Sequence, residues 1–153
     1  MCYIWTMLKA PRKLDARETA DLLAFDRPAH LATLDRAGFP HVTPLWFLWE
    51  DGAFFMTSIA DRPHLRRLSR NPRAGLGIDV EDPERSDGQR RNRQVRAIGK
   101  AELFPDEGAR WTTLITAKYV RGPAAQRQIA ARAADERVVI CLRPSRLVAI
   151  ASV

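Results

Sequence analysis

The stretch "HVTPLWFLWEDGAFFMTS", His41 to Ser58, constrains the fold more than any other part of the chain. Two runs rich in β-branched and aromatic residues flank Glu50-Asp51-Gly52, and Asp-Gly between such runs is a strong hairpin signal. Strands joined by tight turns pair antiparallel. The same pattern recurs elsewhere. "AHLATLD" (Ala29–Asp35) reads as a strand before the turn "RAGF", and "PHVTPLWFLWE" follows as the second strand and "AFFMTSI" as the third. "RAGLGIDVE" places Leu76, Ile78 and Val80 on one face, "VRAIGKAELF" resumes as a strand, and "RVVICLRPSRLVAIASV" closes with one or two more. Pro40 and Pro44 suit an edge strand or a bulge, and Gly99 marks a bulge or a close backbone approach. About six strands with few helices predict a mainly β fold, a six-stranded antiparallel barrel closed on itself with peripheral helices.

The helices are few and short. "LDARETADLLAFD" opens with Asp15 as a cap and Glu18 three residues on, a capping-box pattern, with Leu22 and Leu23 on one face. In "RPHLRRLSRNP" either Asp61 or Ser58 can cap, Pro63 suits the first turn, and Leu65 and Leu68 form the apolar stripe. "DEGARWTTLITAKYV" carries Trp111, Leu114, Ile115 and Tyr119 at helical spacing, and "AAQRQIAARAADE" adds a further helical segment. "DPERSDGQRRNRQ", Asp82–Gln94, has no apolar residue and reads as a long, mobile loop in which arginines repel one another.

A chain of 153 residues suits one domain spanning 1–153 with one sizeable core. No apolar run approaches the roughly 20 residues that span a bilayer. The N-terminal "MCYIWTMLKAPRK" places its positive charges behind its apolar stretch, unlike a secretory signal, so a cytoplasmic location is expected. Cys2 and Cys141, with no CxxC, read as two free thiols. The net charge of +7 favours anionic partners, with arginine far outnumbering lysine. The aromatics fall in apolar strand and helix patterns rather than among the arginines, which argues against a nucleic-acid binder. Nothing suggests a membrane partner.

No metal-binding, nucleophile-elbow, Walker or dinucleotide motif is present. His30, His41 and His64 share no metal-ligand spacing, so no metal site is assigned and the histidines read as structural or surface residues, with a haem ligand among them left open. The feature that demands a reason is the end of the hairpin. Thr57 and Ser58 supply hydroxyls, the following helix start offers free backbone N–H groups, and Arg62, His64, Arg66 and Arg67 surround it with positive charge. Together these suit a phosphate; a solvated basic helix with a hydroxyl cap is the competing reading.

"LATLDRAGFPHVTPLWFLWEDGAFFMTS", "RPHLRRLSRNPRAGLGIDV" and "VRAIGKAEL" resemble the pyridoxamine 5′-phosphate oxidase-like FMN-binding split-barrel superfamily, most closely its flavin- and deazaflavin-dependent oxidoreductase branch. The resemblance runs from Ala29 to Phe104 and extends through "AKYV" and "RVVICLRPSRLVAI" to the C-terminus. It implies a split barrel that forms a homodimer, with the cofactor in the groove between subunits. It implies that Thr57 and Ser58 donate to phosphate, that Arg62 and His64, with Arg66 and Arg67, supply the cationic stretch, and that Trp46 with Thr43, Pro44 and Leu45 lines the ring of the cofactor. Asp61-Arg62-Pro63-His64 departs from the family, which has a lysine there, and Leu45 and Trp46 stand where stricter FMN-dependent oxidases have a strand lysine. Ordinary pyridoxamine phosphate oxidation is thereby disfavoured. An apolar ring pocket beside an arginine-rich opening favours coenzyme F-420, whose tail carries carboxylates besides a phosphate, over FMN. The resemblance thus implies an oxidoreductase transferring hydride to or from a small organic substrate, its catalytic residues not identified. The alternative is a split barrel that binds flavin, haem or a tetrapyrrole without turnover. The substrate side of the groove falls to Glu81–Gln94 and the N-terminal segment, neither of which carries a readable motif.

Overall fold

The computed structural model describes residues 11–83, 88 and 90–152. The strands are β1 (Arg12–Lys13), β2 (Ala29–Leu34), β3 (Pro40–Leu45), β4 (Phe47–Glu50), β5 (Ala53–Ile59), β6 (Arg73–Glu81), β7 (Asn92–Pro105) and β8 (Arg137–Ala151). The helices are α1 (Ala16–Ala24), α2 (Pro63–Arg70), α3 (Arg110–Tyr119) and α4 (Pro123–Ala133), with a single 3₁₀ turn at Glu107–Ala109. Every strand pair is antiparallel, in the order β3-β2-β6-β7-β8-β5-β4, with β1 added to β8. This is the curled sheet of a split barrel. It holds seven strands and the short β1, where six were expected.

The extra strand arises where one was expected to run through. "PHVTPLWFLWE" breaks at Trp46 into β3, which pairs with β2, and β4, which pairs with β5. The two ends of the sheet order are thus neighbours in sequence, separated by one residue. Pro40 and Pro44 lie on β3, an end of the order, where a missing N–H costs nothing. The Asp51-Gly52 turn between β4 and β5 has φ of 49° and 73°, the all-positive geometry of a tight hairpin.

The inside of the curl is the core. Leu31, Phe47, Phe54, Met56, Ile78, Val95, Ile140 and Leu142 are fully or almost fully buried there, joined by Leu22 and Leu23 of α1 and Leu65 and Leu68 of α2. A second small cluster lies under α3, where Phe55 stacks on Trp111 at 3.7 Å beside Ala53, Val139 and Cys141. β5 is therefore covered on both faces, which is why it reads as a continuous apolar run rather than an alternating one.

Local signals hold where the interaction is local. Asp15 Oδ1 accepts from Glu18 N at 2.8 Å and Glu18 Oε2 from Asp15 N at 2.9 Å, closing the capping box of α1. Gly99 sits at a register shift in the β7–β8 pairing, and a Cβ there would meet Arg143 O at 2.7 Å. Three expectations are corrected. α2 is capped by neither Asp61 nor Ser58: its N-cap is Arg62, with no side-chain cap bond. α3 buries Thr112, Ile115 and Thr116 while Leu114 is exposed, because Asp106 takes the Thr112 hydroxyl and N–H and turns that face inward. The polar loop ends sooner than Gln94: Asn92, Arg93 and Gln94 already pair in β7, and Arg93 Nη2 bonds Asp82 Oδ1 at 2.9 Å. The expected mobility of this loop falls partly on residues 84–87 and 89, outside the described residues, as do Cys2 and the N-terminal segment. No helix among the described residues is long and apolar enough to cross a membrane.

Candidate functional site

A cleft of about 560 Å³ opens where the Trp46 corner, the end of β5 and the start of α2 meet. Its lining includes Thr43, Pro44, Leu45, Trp46, Thr57, Ser58, Arg62, His64 and Arg67. Nine of the ten residues singled out from sequence thus face one space. The tenth, Arg66, does not: it lines a different surface depression, and its Nη1 bonds the Asp61 carbonyl and, at 2.9 Å, the Asp61 carboxylate. One helical step separates it from Arg67, and that rotation carries its side chain away.

The hairpin end is built to present polar atoms. Thr57, Ser58 and His64 are only 4%, 5% and 6% exposed, so each polar atom must find a partner. Thr57 Oγ1 lies 3.3 Å from Thr112 Oγ1, which bonds Asp106 Oδ2 at 2.6 Å. Asp106 also accepts from the backbone N–H of Trp111 and Thr112, fixing α3 against β5. Ser58 Oγ and His64 Nε2 share a bond of 2.8 Å. Burial, and then the charges of Arg67 and Arg62, hold the His64 imidazole below its ordinary pKa. At neutral pH it is therefore an uncharged hydrogen-bonding group. Asp61, with φ of 65°, turns the chain from β5 into α2, a left-handed conformation that Asp tolerates.

The opposite wall is aromatic. Trp46 stacks on Tyr119 at 4.7 Å with nearly parallel rings. The Tyr119 hydroxyl accepts from Phe47 N at 3.2 Å and donates to Arg27 O at 2.9 Å. Phe47 is wholly buried and Trp49 packs on Phe54 at 4.5 Å. The hairpin aromatics thus each have a ring partner or a buried place within the protomer, with Trp46 and Trp49 only partly buried.

The charge balance is one-sided. Arg62, Arg67, Arg132 and Arg137 line the cleft, and among the described residues no carboxylate does. Arg67 is steadied by Thr33, whose Oγ1 accepts from its Nε at 2.8 Å. Arg132 and Arg137 come from α4 and the start of β8. Sequence reading missed them, because their approach depends on Arg137 pairing across from Ile59. Ile59 and Pro63 also line the cleft and were findable, since each adjoins a residue already singled out. His30 and His41 lie elsewhere, His41 Nε2 bonding Asp35 at 2.9 Å. Among the described residues no group of three or more His, Cys, Asp or Glu could hold a metal.

A curled antiparallel sheet closed through a one-residue corner, with an arginine-lined cleft at that corner, defines the split-barrel class. The chain belongs to the pyridoxamine 5′-phosphate oxidase family, whose sequence pattern matches residues 16–151. No curated protein matches it. Solved structures are similar over most of the chain. The conserved hypothetical protein Rv2991 from Mycobacterium tuberculosis has a TM-score of 0.74 and 23% identity, covering 95% of this chain and 89% of that one. An F420 reductase has a TM-score of 0.58 and 27% identity, covering 83% and 93%. The FAD and heme binding protein from Mycobacterium smegmatis has a TM-score of 0.66 and 19% identity, covering 92% and 73%.

Proposed function

We propose that the cleft binds the phosphate end of a flavin-type cofactor, F-420 ahead of FMN, and that the protein is an oxidoreductase exchanging hydride between that cofactor and a small organic substrate. The observation that carries this is the meeting of an apolar and aromatic wall, Thr43 to Trp46, with a hydroxyl-lined helix start ringed by four arginines and, among the described residues, no carboxylate. The volume suits a cofactor headgroup. Ser58 and the His64 N–H in the first turn of α2 face the phosphate, and Arg62 and Arg67 neutralise it. His64 stands where the family has lysine and contributes a hydrogen bond rather than a charge. The excess of arginine favours a tail with several carboxylates, hence F-420.

When bound, the cofactor supplies the hydride chemistry. The chain positions it and keeps water away, so no acid–base pair is required of the cleft. The protein works as a homodimer in this reading. The support is a row of small and apolar residues on the outer sheet face, Val42–Ala32–Gly75–Ile98, paired directly across β3, β2, β6 and β7. Val42 is 62% and Ile98 54% exposed, and a second subunit laid on this face would cover them.

The test is a side-by-side titration of the apoprotein with F-420, FMN and haem, with light scattering for mass. F-420 binding tightest, by a dimer, is the expected result. Arg62→Ala should weaken that binding about ten- to a hundredfold, the worth of one charge-assisted contact, and leave apoprotein stability unchanged. Haem binding without flavin or deazaflavin binding would replace the oxidoreductase by a carrier. Wild-type affinity in Arg62→Ala would move the phosphate elsewhere.

A further inference from the structure

α4 is an odd element. It buries none of its residues and packs mainly against α3, so the core gains little from it. It springs from Gly122, with φ of 68°, into Pro123. What it brings to the cleft is Arg132 in its last turn, whose guanidinium lies 4.8 Å from the centre of the Trp46 ring. A few residues on, Arg137 enters the cleft from the start of β8, held by Asp106 N donating to its carbonyl at 3.0 Å.

These two arginines differ from those that have a polar side-chain or carbonyl partner. Arg12, Arg66 and Arg93 each pair with a carboxylate, Arg67 bonds Thr33, and Arg143 bonds the Asp51 carbonyl. Arg132 and Arg137 have no hydrogen bond or ion pair among the described residues, and the Nε of each is buried without a partner. Burial depresses both guanidinium pKa values; Arg132 and Arg62 press further on Arg137, and Asp135 and Asp106 offset this only in part. Two half-buried, mutually repelling cations cost folding free energy. They make physical sense as donors held ready for an anion.

We propose that Arg132 and Arg137 form a second anion subsite of the cleft, beside the Thr57–Ser58–Arg62 side, which seats a further phosphate or carboxylate of the same ligand. This rests on the reading of the cleft as the site of a phosphate-bearing cofactor. It makes the ligand one with two anionic groups, and it makes Arg132 the residue that separates such a ligand from one with a single phosphate. The stack on Trp46 aims the guanidinium while leaving its N–H edges for the ligand.

The experiment uses Arg132→Met, which keeps an apolar cover on Trp46. Affinities of wild type and variant are measured for FMN (one phosphate), FAD (two) and F-420 (a phosphate with carboxylates), and apoprotein unfolding is followed in parallel. The variant should lose about tenfold or more for FAD or F-420, with FMN changed less than about twofold. Loss on FAD alone assigns a second phosphate, and loss on F-420 alone assigns a carboxylate. The unfolding midpoint should stay the same or rise, since a repelled charge is gone. A lowered midpoint with unchanged affinity ratios would reduce Arg132 to a packing residue and overturn the proposal, as would equal loss for all three ligands. If none of the three binds wild type, the cofactor reading fails, and the subsite is read with inorganic pyrophosphate at constant ionic strength. Stabilisation of wild type but not of Arg132→Met would uphold it. Equal stabilisation, or none in wild type, would end it.

Discussion

Lys118 offers a stability test whose sign changes along the pH scale. Its Nζ donates to Leu23 O at 2.9 Å and Phe47 O at 3.2 Å and lies 3.6 Å from the centre of the Phe47 ring, so it ties α3 to the end of α1 and the start of β4. Burial lowers its pKa from 10.5 to about 8, partly opposed by Asp26. Burial raises that of the neighbouring Tyr119 from 10.0 to about 12. Between pH 8 and 10.5 the unfolded chain holds a proton on Lys118 that the folded chain has released, so stability rises with pH. Between pH 10 and 12 the folded chain keeps the Tyr119 proton that the unfolded chain has lost, so stability falls. At about 1.4 kcal/mol per pKa step the lysine shift has a ceiling of about 3.4 kcal/mol. The two carbonyls and the π face favour the ammonium, which brings the expected gain to about 1–2 kcal/mol. Urea unfolding followed by tryptophan fluorescence, from neutral to alkaline pH, measures it. Lys118→Met should abolish the rise between pH 8 and 10.5 and keep the fall above it. An identical rise in wild type and variant would refute the reasoning.

Two other changes are as direct. Gly99→Ala should cost about 1–3 kcal/mol in denaturant unfolding, because the new Cβ meets Arg143 O at 2.7 Å and Leu142 Cδ1 at 3.2 Å and the β7–β8 backbone must yield. Arg66→Ala should leave cofactor affinity unchanged in the titration that detects Arg62→Ala, since Arg66 points at Asp61 and away from the cleft.

What could be read from the chain alone was what neighbouring residues decide. The Asp15–Glu18 cap, the Asp51-Gly52 turn, the edge prolines and the tight approach at Gly99 each need only local chemistry or local strand geometry. The clustering of Thr43–Trp46 with Thr57, Ser58 and Arg62 came from a family pattern and from the hairpin, which brings the two stretches together whatever the rest does. The break at Trp46 was hidden because strand-forming residues continue across it: the run pairs first with β2 and then with β5, and residue type does not record a change of partner. The buried face of α3 was misjudged because Thr112 and Thr116 are polar by type, while Asp106 satisfies the Thr112 hydroxyl and the Thr112 carbonyl that of Thr116. Arg132 and Arg137 carried no signal in so arginine-rich a sequence. What marks them is a buried Nε with no hydrogen bond or ion pair to the guanidinium among the described residues, a property of the fold alone.

β8 lies between β7 and β5 in the sheet order, although it follows every other strand in the chain. On a ribosome, β3, β2, β6 and β7 can pair as they emerge, and β4 with β5, but the two groups have no shared hydrogen bonds until β8 arrives. Until then β5 and β7 expose long unpaired edges, the state most open to wrong pairing. The closing contacts reach from Phe54 to Leu142, and such distant pairing is slow to form. The cleft shares this timing, for Thr57 and Ser58 are fixed against Val139 and Val138, so the cleft and the finished barrel come into being in the same late step.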